Sequence, residues 1–186
     1  MNRRVVNVAL TVVVLVAIVG LYRVTPTQGD FQQPVQVNGA FGKVVETPRF
    51  TLNVEAVRIG KRLKVPRSRP DRETSTSWVA VDTIVTARRE PMYLGTVRIR
   101  TKDGLQYNAT NRKSISRYDL TGFEFQPDIP IRGSFVVEMP ADQVAGAQLE
   151  VIESKTFTAF EPQATVPLEN VPSEQPVVEL KEAAVA

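Results

Sequence analysis

The sequence predicts an all-β protein, an antiparallel immunoglobulin-like β-sandwich preceded by a single transmembrane helix. Two observations carry this prediction. First, Val5 to Tyr22 contains no charged residue and, as a helix, reaches about 27 Å, close to the ~30 Å hydrocarbon core of a bilayer. Second, apolar and polar residues alternate in short segments from Gly39 onward, without an amphipathic helix of useful length. Seven or eight short strands separated by turns are typical of a sandwich.

The uncharged run at residues 5–22 is expected to be a retained signal anchor. It is longer than the apolar core of about 7–15 residues in a secretory signal, and no small-x-small cleavage motif follows it. Arg3 and Arg4 favour a cytoplasmic N-terminus at residues 1–4, which sends the C-terminal domain outside the cytoplasm at the plasma membrane. A cleaved signal peptide is the alternative. Residues 23–38 are rich in Pro, Gly and Gln and predict an extended linker.

The sandwich is predicted to span residues 39–160. Phe50 to Ile59 alternates until its phase slips after Ala56, which predicts a bulge. Trp78 to Ala87 is β-branched and apolar on both faces, as a central strand would be. Asp103-Gly104 predicts a two-residue hairpin turn with positive φ at both positions. Further strands are expected at Ile131 to Met139 and beyond.

Two segments are expected to lie outside the strands. Gly60 to Ser77 predicts a long polar loop, which in a compact domain is either functional or disordered. Residues 161–186 contain four prolines and five glutamates against one lysine, and predict a disordered acidic tail. The alternative is that Val177 to Ala186 docks onto a partner or back onto the basic loop.

The candidate site is the basic loop, residues 58–72, which overlaps this polar segment. The segment Gly60 to Ser77 carries six cations against Asp71 and Glu73, and the basic loop offers contacts for anionic lipid headgroups, an acidic cell-wall polymer or an acidic protein face. A solvated loop without a partner is an equally weighted interpretation. Aromatic residues are not interleaved with the charges, so nucleic acid is not expected. The six candidate contact residues are Lys61, Arg62, Lys64, Arg67, Arg69 and Arg72.

The composition argues against enzymatic chemistry. Cysteine and histidine are both absent, which excludes thiol nucleophiles, thiolate or imidazole metal sites and histidine-based triads. The aspartates are scattered without a calcium-loop pattern, and no Gly-x-Ser-x-Gly elbow or Gly-rich phosphate loop occurs. We therefore predict no catalytic residues, no metal and no cofactor.

Four segments carry a family resemblance. They are Phe50-Thr51-Leu52-Asn53-Val54, Trp78-Val79-Ala80-Val81-Asp82, Asp103-Gly104-Leu105-Gln106-Tyr107 and Gly133-Ser134-Phe135-Val136-Val137-Glu138-Met139-Pro140. With these, residues 39–153 resemble the telokin-like, immunoglobulin-fold domain of unknown function found in bacterial lipoproteins and secreted antigens. The chain departs from that pattern in having Ala87-Arg88-Arg89-Glu90-Pro91 after the central strand, and in lacking a lipobox cysteine. The resemblance implies a fold and a compartment, and no catalytic residues.

The expected function is therefore an interaction module. We expect a membrane-anchored extracytoplasmic domain that serves, without catalysis, as an accessory component of an envelope complex such as a transporter or cell-wall machine. Its expected partners are the membrane, a membrane protein and, through the basic loop, an anionic lipid or polymer. The alternatives are a binding protein for an apolar or anionic small ligand or lipid, and a secreted domain with a cleaved signal peptide.

Overall fold

The computed structural model describes residues 3–24, 34–66, 71–110, 115, 118–153 and 161–186. The chain divides into two compact units, Met1–Gln33 and Pro34–Ala186. The first contains the helix and the second contains the strands. The predicted basic residues Arg67 and Arg69, and most of the predicted linker, lie outside the described residues.

The first unit contains one described α-helix, α1 (Arg3–Val24). Within it, the Thr11 hydroxyl donates to the Asn7 carbonyl oxygen at 2.9 Å, which satisfies a polar side chain inside an apolar run. Among the described residues, no helix combines the length and the apolarity required for a membrane span. The structure therefore gives no support to the predicted transmembrane helix.

The second unit is built from strands joined by turns. Its only described helical segments are 3₁₀ turns at Leu120–Gly122 and Ala141–Gln143. The described strands are β1 (Val35–Asn38), β2 (Val44–Glu46), β3 (Phe50–Lys64), β4 (Arg72–Ala87), β5 (Met92–Tyr93), β6 (Thr96–Arg100), β7 (Gln106–Asn108), β8 (Glu124–Phe125), β9 (Ile131–Met139), β10 (Gln148–Ile152), β11 (Pro162–Pro167), β12 (Gln175–Glu179) and β13 (Ala184–Val185).

Two larger sheets form the sandwich. Sheet A has the order β1-β11-β10-β6-β7, and sheet B has the order β12-β3-β4-β9-β13 with β2 also paired to β3. A small separate ladder joins β5 and β8. Most pairs are antiparallel, whereas β1–β11 and β12–β3 are parallel. The predicted all-β sandwich is confirmed, and the predicted central strand β4 does lie in the middle of sheet B.

The main core fills the space between the sheets. Alternate residues of a strand point to opposite faces, so Val81 of β4 and Phe135 of β9 pack inward with Leu149 of β10. The predicted bulge in β3 is present as a register shift between Val54 and Ala56. Each large apolar side chain buried in this way stabilises the folded state by about 1.5–3 kcal/mol.

The hairpin between β6 and β7 forms where it was predicted, but with a different turn. Gly104 has φ of 86°, whereas Asp103 is not among the residues with positive φ. The Thr101 N–H donates to the Leu105 carbonyl at 2.9 Å and the Gly104 N–H donates to the Thr101 carbonyl at 3.0 Å. These bonds close a three-residue loop that needs only one left-handed residue, which glycine supplies at little steric cost.

The predicted boundaries of the basic loop and the linker are wrong. β3 continues through Lys64 and β4 begins at Arg72, so most of the predicted loop at residues 60–77 is strand. Likewise, the last four residues of the predicted linker form β1. Polar composition was misleading here because a strand ladder is built from backbone hydrogen bonds, which polar residues supply as well as apolar ones.

The prediction of a disordered tail at residues 161–186 is also wrong. This segment contains β11, β12 and β13, and its side chains Ala164, Val166 and Leu168 are buried in the main core. The prolines that suggested disorder lie where strands tolerate them, since Pro162 and Pro167 are the first and last residues of β11. The sandwich therefore extends from Pro34 to the C-terminus.

Candidate interaction surface

A long arm of sheet B lies against the outer face of that sheet. We call residues 60–64 of β3 and 72–77 of β4 the arm; its pairing is interrupted by a second register shift between Gly60 and Arg62. Leu63, just past the shift, is fully buried in a cluster with Ala80 and Val136. Because Ala80 and Val136 alternate with core residues of β4 and β9, this second cluster covers the opposite face.

The C-terminal segment completes this second cluster. We call residues 171–186 the strap. Within it, β12 runs parallel to β3 from the pair Gln175–Gly60 to the pair Glu179–Lys64. Val178 and Leu180 are each 1% exposed and pack in the same cluster as Trp78. The strap thus adds a strand to the arm through its backbone and inserts two alternate apolar side chains.

Charge complementarity accompanies the strand pairing. Lys61 lies 3.4 Å from Glu174 and Lys64 lies 2.9 Å from Glu179, each distance joining Nζ to a carboxylate oxygen. The Ser77 hydroxyl also donates to Glu174, and this bond, followed by the Lys61 ammonium, lowers the pKa of Glu174. A basic arm therefore holds an acidic strap, as the alternative prediction for residues 177–186 proposed.

At Gly60 the backbone of the arm lies close to the strap. A Cβ at this position would lie 2.9 Å from the Gln175 carbonyl oxygen and 3.0 Å from Val178 Cγ2. The first distance is shorter than real Cβ contacts, so any side chain here would push the strap away. The absence of a side chain at Gly60 is thus a local requirement for seating β12.

The six predicted contact residues have different environments. Lys61 and Lys64 are engaged with the strap, as described above. Arg72 begins β4, its carbonyl accepts from Trp78 Nε1 at 3.1 Å, and its Nε is buried without a hydrogen-bond partner among the described residues. Arg62 is exposed and makes no ion pair within the described part of the chain. The structure brings four of the residues together on one arm and does not describe Arg67 or Arg69.

The rest of the strap crosses toward the other edge of sheet B. There Ala184 pairs with Arg132 of β9, and the Ala186 N–H donates to the Pro130 carbonyl at 2.9 Å. A cleft of about 470 Å³ lies between this part of the strap and the outer face of the sheet. Its lining includes Asp82, which accepts from Ser134 Oγ at 2.6 Å and from Arg58 Nε at 2.8 Å. Side chains of this protein therefore already occupy the Asp82 carboxylate of the cleft.

Further charged groups serve the structure of the sandwich. Glu150 of β10 is fully buried and accepts from Arg98 Nε at 2.6 Å and from Arg100.

At one end of the sheets, Arg49 makes two bonds of 2.8 Å to Glu153 and a third to Glu90, and these partners raise its pKa. Arg49 lines a shallow cavity of about 770 Å³ whose other walls include Glu161 and three prolines. The guanidinium groups of Arg49, Arg98 and Arg100 are each paired with a carboxylate of the protein. These arginines therefore do not offer a site for an added anion.

The described residues contain no group of three or more acidic side chains placed to hold a metal ion. The arm holds the strap through backbone pairing, two buried apolar side chains of the strap and two cations. Strand addition of this kind is a common mode of peptide recognition, in which backbone bonds give affinity and alternate side chains give specificity.

The main prediction of a disordered tail missed the strand that occupies the arm, although its alternative had residues 177–186 dock back onto the basic loop. Pro176-Val177-Val178-Glu179-Leu180 is a short β-branched run with apolar residues at alternate positions, which is a strand signal inside a Pro/Glu-rich segment. Gly60, set within a strand pattern, was a further signal for close approach of another backbone. Which strand approaches it is a long-range property that local patterns do not encode.

Comparisons with known proteins add little to these observations. No protein-family model matches the chain, and no curated protein matches it. A solved structure of an uncharacterised β-sandwich protein from Clostridium difficile is similar in fold, with 11% sequence identity and a TM-score of 0.40. The similarity covers 76% of this chain and 99% of that one. The resemblance to the telokin-like family and the lipoprotein context are not confirmed by these comparisons.

Proposed function

We propose that this protein is a non-catalytic interaction module that binds an extended segment of a partner protein along the arm of sheet B. The observation that carries the proposal is the parallel pairing of β12 with β3, in which the arm accepts an additional strand. The acceptor is the two-stranded arm, which carries two cations and buried apolar side chains. Such a surface suits an accessory component of a larger complex.

The location of the module is part of the proposal. It is placed at the outer face of the plasma membrane, with residues 1–4 in the cytoplasm. Support comes from the uncharged run Val5 to Tyr22 and from the exposure of five consecutive apolar residues, Val12 to Val16, by 49–66%. At 3.6 residues per turn, five consecutive positions cover every face of a helix, and such a surface suits lipid or protein contact better than water.

The partner can be sought by site-specific crosslinking. A photo-crosslinking residue placed at Arg62, an exposed position on the arm, is expected to capture one reproducible membrane protein in cells. Arg62→Glu is expected to lower capture from a neighbouring crosslinking site at least fivefold, because the arm loses an exposed cation. Lys102→Glu changes an equally exposed cation in the β6–β7 loop and serves as the matched control. Absence of a reproducible adduct, or equal losses in both variants, would contradict the proposal.

The location can be tested independently because the chain contains no cysteine. Lys102→Cys introduces a single exposed thiol in the sandwich. A membrane-impermeant maleimide is expected to label this thiol in cells whose outer barrier is permeable to the reagent and whose plasma membrane is intact. Labelling only after lysis of the plasma membrane would refute the extracytoplasmic location. The mass of the mature chain from the same sample distinguishes an anchor from a cleaved signal peptide.

The other predictions about class and ligand stay hypotheses. The immunoglobulin-like type of the sandwich is supported by the four sequence segments that carry the resemblance. An apolar ligand between the sheets has no comparable support, since Phe50, Phe125 and Phe135 fill that space at 0% exposure.

A further inference from the structure

The strap occupies the arm in the way that the proposed function assigns to a partner. Resting on that function, we propose that residues 174–180 are an exchangeable internal ligand that blocks the arm until a partner segment replaces them. The partner segment is extended, runs parallel to β3, and presents apolar side chains at two alternate positions, with one carboxylate between them and another four residues before the first. The strap itself defines this chemistry through Val178, Leu180, Glu174 and Glu179.

The strap buries fewer side chains than an inner strand such as β11 does. Within β12 and the following residue, only Val178 and Leu180 are fully buried, while Gln175, Pro176 and Glu179 are exposed. Pro176 has no N–H to donate. By contrast, β11 has five consecutive buried residues between two strand neighbours. Segments with few buried contacts open at lower free energy than the whole domain, so the strap can leave while the sandwich remains folded.

The connection to the strap permits such a release. Leu168 is buried in the main core and its N–H donates to the Ala147 carbonyl at 2.8 Å, so it fixes the chain before the strap begins. Residues 169–174 follow without regular structure, and Asn170 has a positive φ of 51°. Residues 169–173 therefore tether the exchangeable segment, residues 174–180, and give it an effective concentration in the millimolar range at the arm. A partner segment must compete with this local concentration of the strap. It therefore binds the arm only when its own affinity or concentration is high enough.

A cysteine lock tests the proposal within one folded protein. Lys64 and Glu179 are register partners whose side chains meet at 2.9 Å, so Lys64→Cys with Glu179→Cys places two thiols together in a chain without other cysteines. The probe is a labelled peptide of residues 172–182, PSEQPVVELKE. The reduced chain is expected to bind the probe at least tenfold more tightly than the oxidised chain, measured by fluorescence anisotropy. Equal binding to both forms, or binding to neither, would overturn the proposal.

A second variant weakens the strap by charge alone. Glu174→Lys with Glu179→Lys places four lysines together on the arm and strap, and is expected to raise probe affinity at least tenfold over the wild-type chain. Adding Lys61→Glu and Lys64→Glu restores the internal pairs with reversed sign and is expected to abolish binding of the acidic probe. A probe with serine in place of Val178 and Leu180 should bind none of the chains. Binding of this serine probe with the same affinity would show that charge, and not strand addition, is measured.

The same lock separates failure of this inference from failure of the proposed function. If the oxidised and reduced chains capture a membrane partner equally well, the partner uses another surface and the strap is not its competitor. If the reduced chain binds the probe but neither form captures a partner, the arm is an exchangeable strand site and the proposed role in a complex fails.

Discussion

At the scale of single residues, the lack of a side chain at Gly60 allows the strap to pack against the arm. Gly60→Ala is expected to lower the free energy of unfolding by about 1–3 kcal/mol, because its Cβ would meet the Gln175 carbonyl at 2.9 Å. Gly122→Ala is the matched control, since a Cβ there meets nothing within 4 Å, and its effect should stay within ~0.5 kcal/mol. Urea denaturation measures both. Equal stabilities would mean that the strap tolerates a side chain at Gly60.

Asp119 provides a second prediction at this scale. Burial raises the pKa of Asp119 to about 6, although the Thr121 and Val136 N–H groups donate to its carboxylate at 2.7 and 2.9 Å. The folded state therefore holds the proton more tightly than the unfolded chain, whose pKa is 3.8. Its contribution to stability is complete below pH ~3.8 and is lost as the pH rises through ~6, a difference on the order of 3 kcal/mol.

The Asp119 contribution can be isolated with an isosteric variant. Asp119→Asn cannot ionise, so the difference in unfolding free energy between wild type and variant should shift in favour of the variant as the pH rises from about 4 to about 7. Other carboxylates titrate in both proteins and cancel in this difference. A difference that does not change with pH would show that Asp119 titrates normally.

At the scale of elements, the pairing of β6 with β10 depends on one buried carboxylate. Glu150→Gln is expected to lower the unfolding free energy by about 3–5 kcal/mol, because it leaves Arg98 and Arg100 without their charged partner. Thermal or urea denaturation measures this loss.

The matched control for Glu150 is another paired glutamate at the surface. Glu55 accepts from Arg132 Nε at 3.0 Å, but the two side chains are 31% and 56% exposed. Glu55→Gln should therefore lower the free energy of unfolding by no more than about 1 kcal/mol, since water and salt weaken an exposed ion pair. Similar losses in the two variants would contradict the role assigned to burial.

The strands also show how much of the fold can be predicted from the sequence. Period-two alternation identified the first part of β3, the apolar run from Trp78 identified β4 as central, and a strand was also predicted at β9, because these strands bury alternate or both faces. The edge strands β1 and β12 were missed, since only a few of their side chains are buried. Basic and acidic residues of the candidate surface were visible as separate segments. Their mutual pairing depends on register between distant strands, which local patterns do not specify.

At the scale of the whole molecule, the strands from Pro34 onward are expected to fold without the first unit. Pro34–Ala186 forms one compact unit that contains both sheets and the clusters between and outside them. A chain of residues 34–186 should melt within about 4 °C of the full chain in the same detergent buffer, which corresponds to roughly 1 kcal/mol or less. A chain of residues 40–186, which lacks β1, should melt lower than both. A large loss in the first chain would show that the sandwich depends on residues before Pro34.

The two parallel pairs have a consequence for synthesis of the protein. Val35 of β1 pairs with Pro162, and Gly60 of the arm pairs with Gln175, so both ladders join residues near the start of the sandwich to residues near its end. Contacts of such long sequence separation form slowly. A ribosome that has translated as far as β10 therefore carries a nascent chain with one side of sheet A unpaired and the apolar cluster around Trp78 uncovered. We expect the domain to finish folding only after its last strands have left the ribosome, and exposed strand edges in the meantime make it a substrate for chaperones.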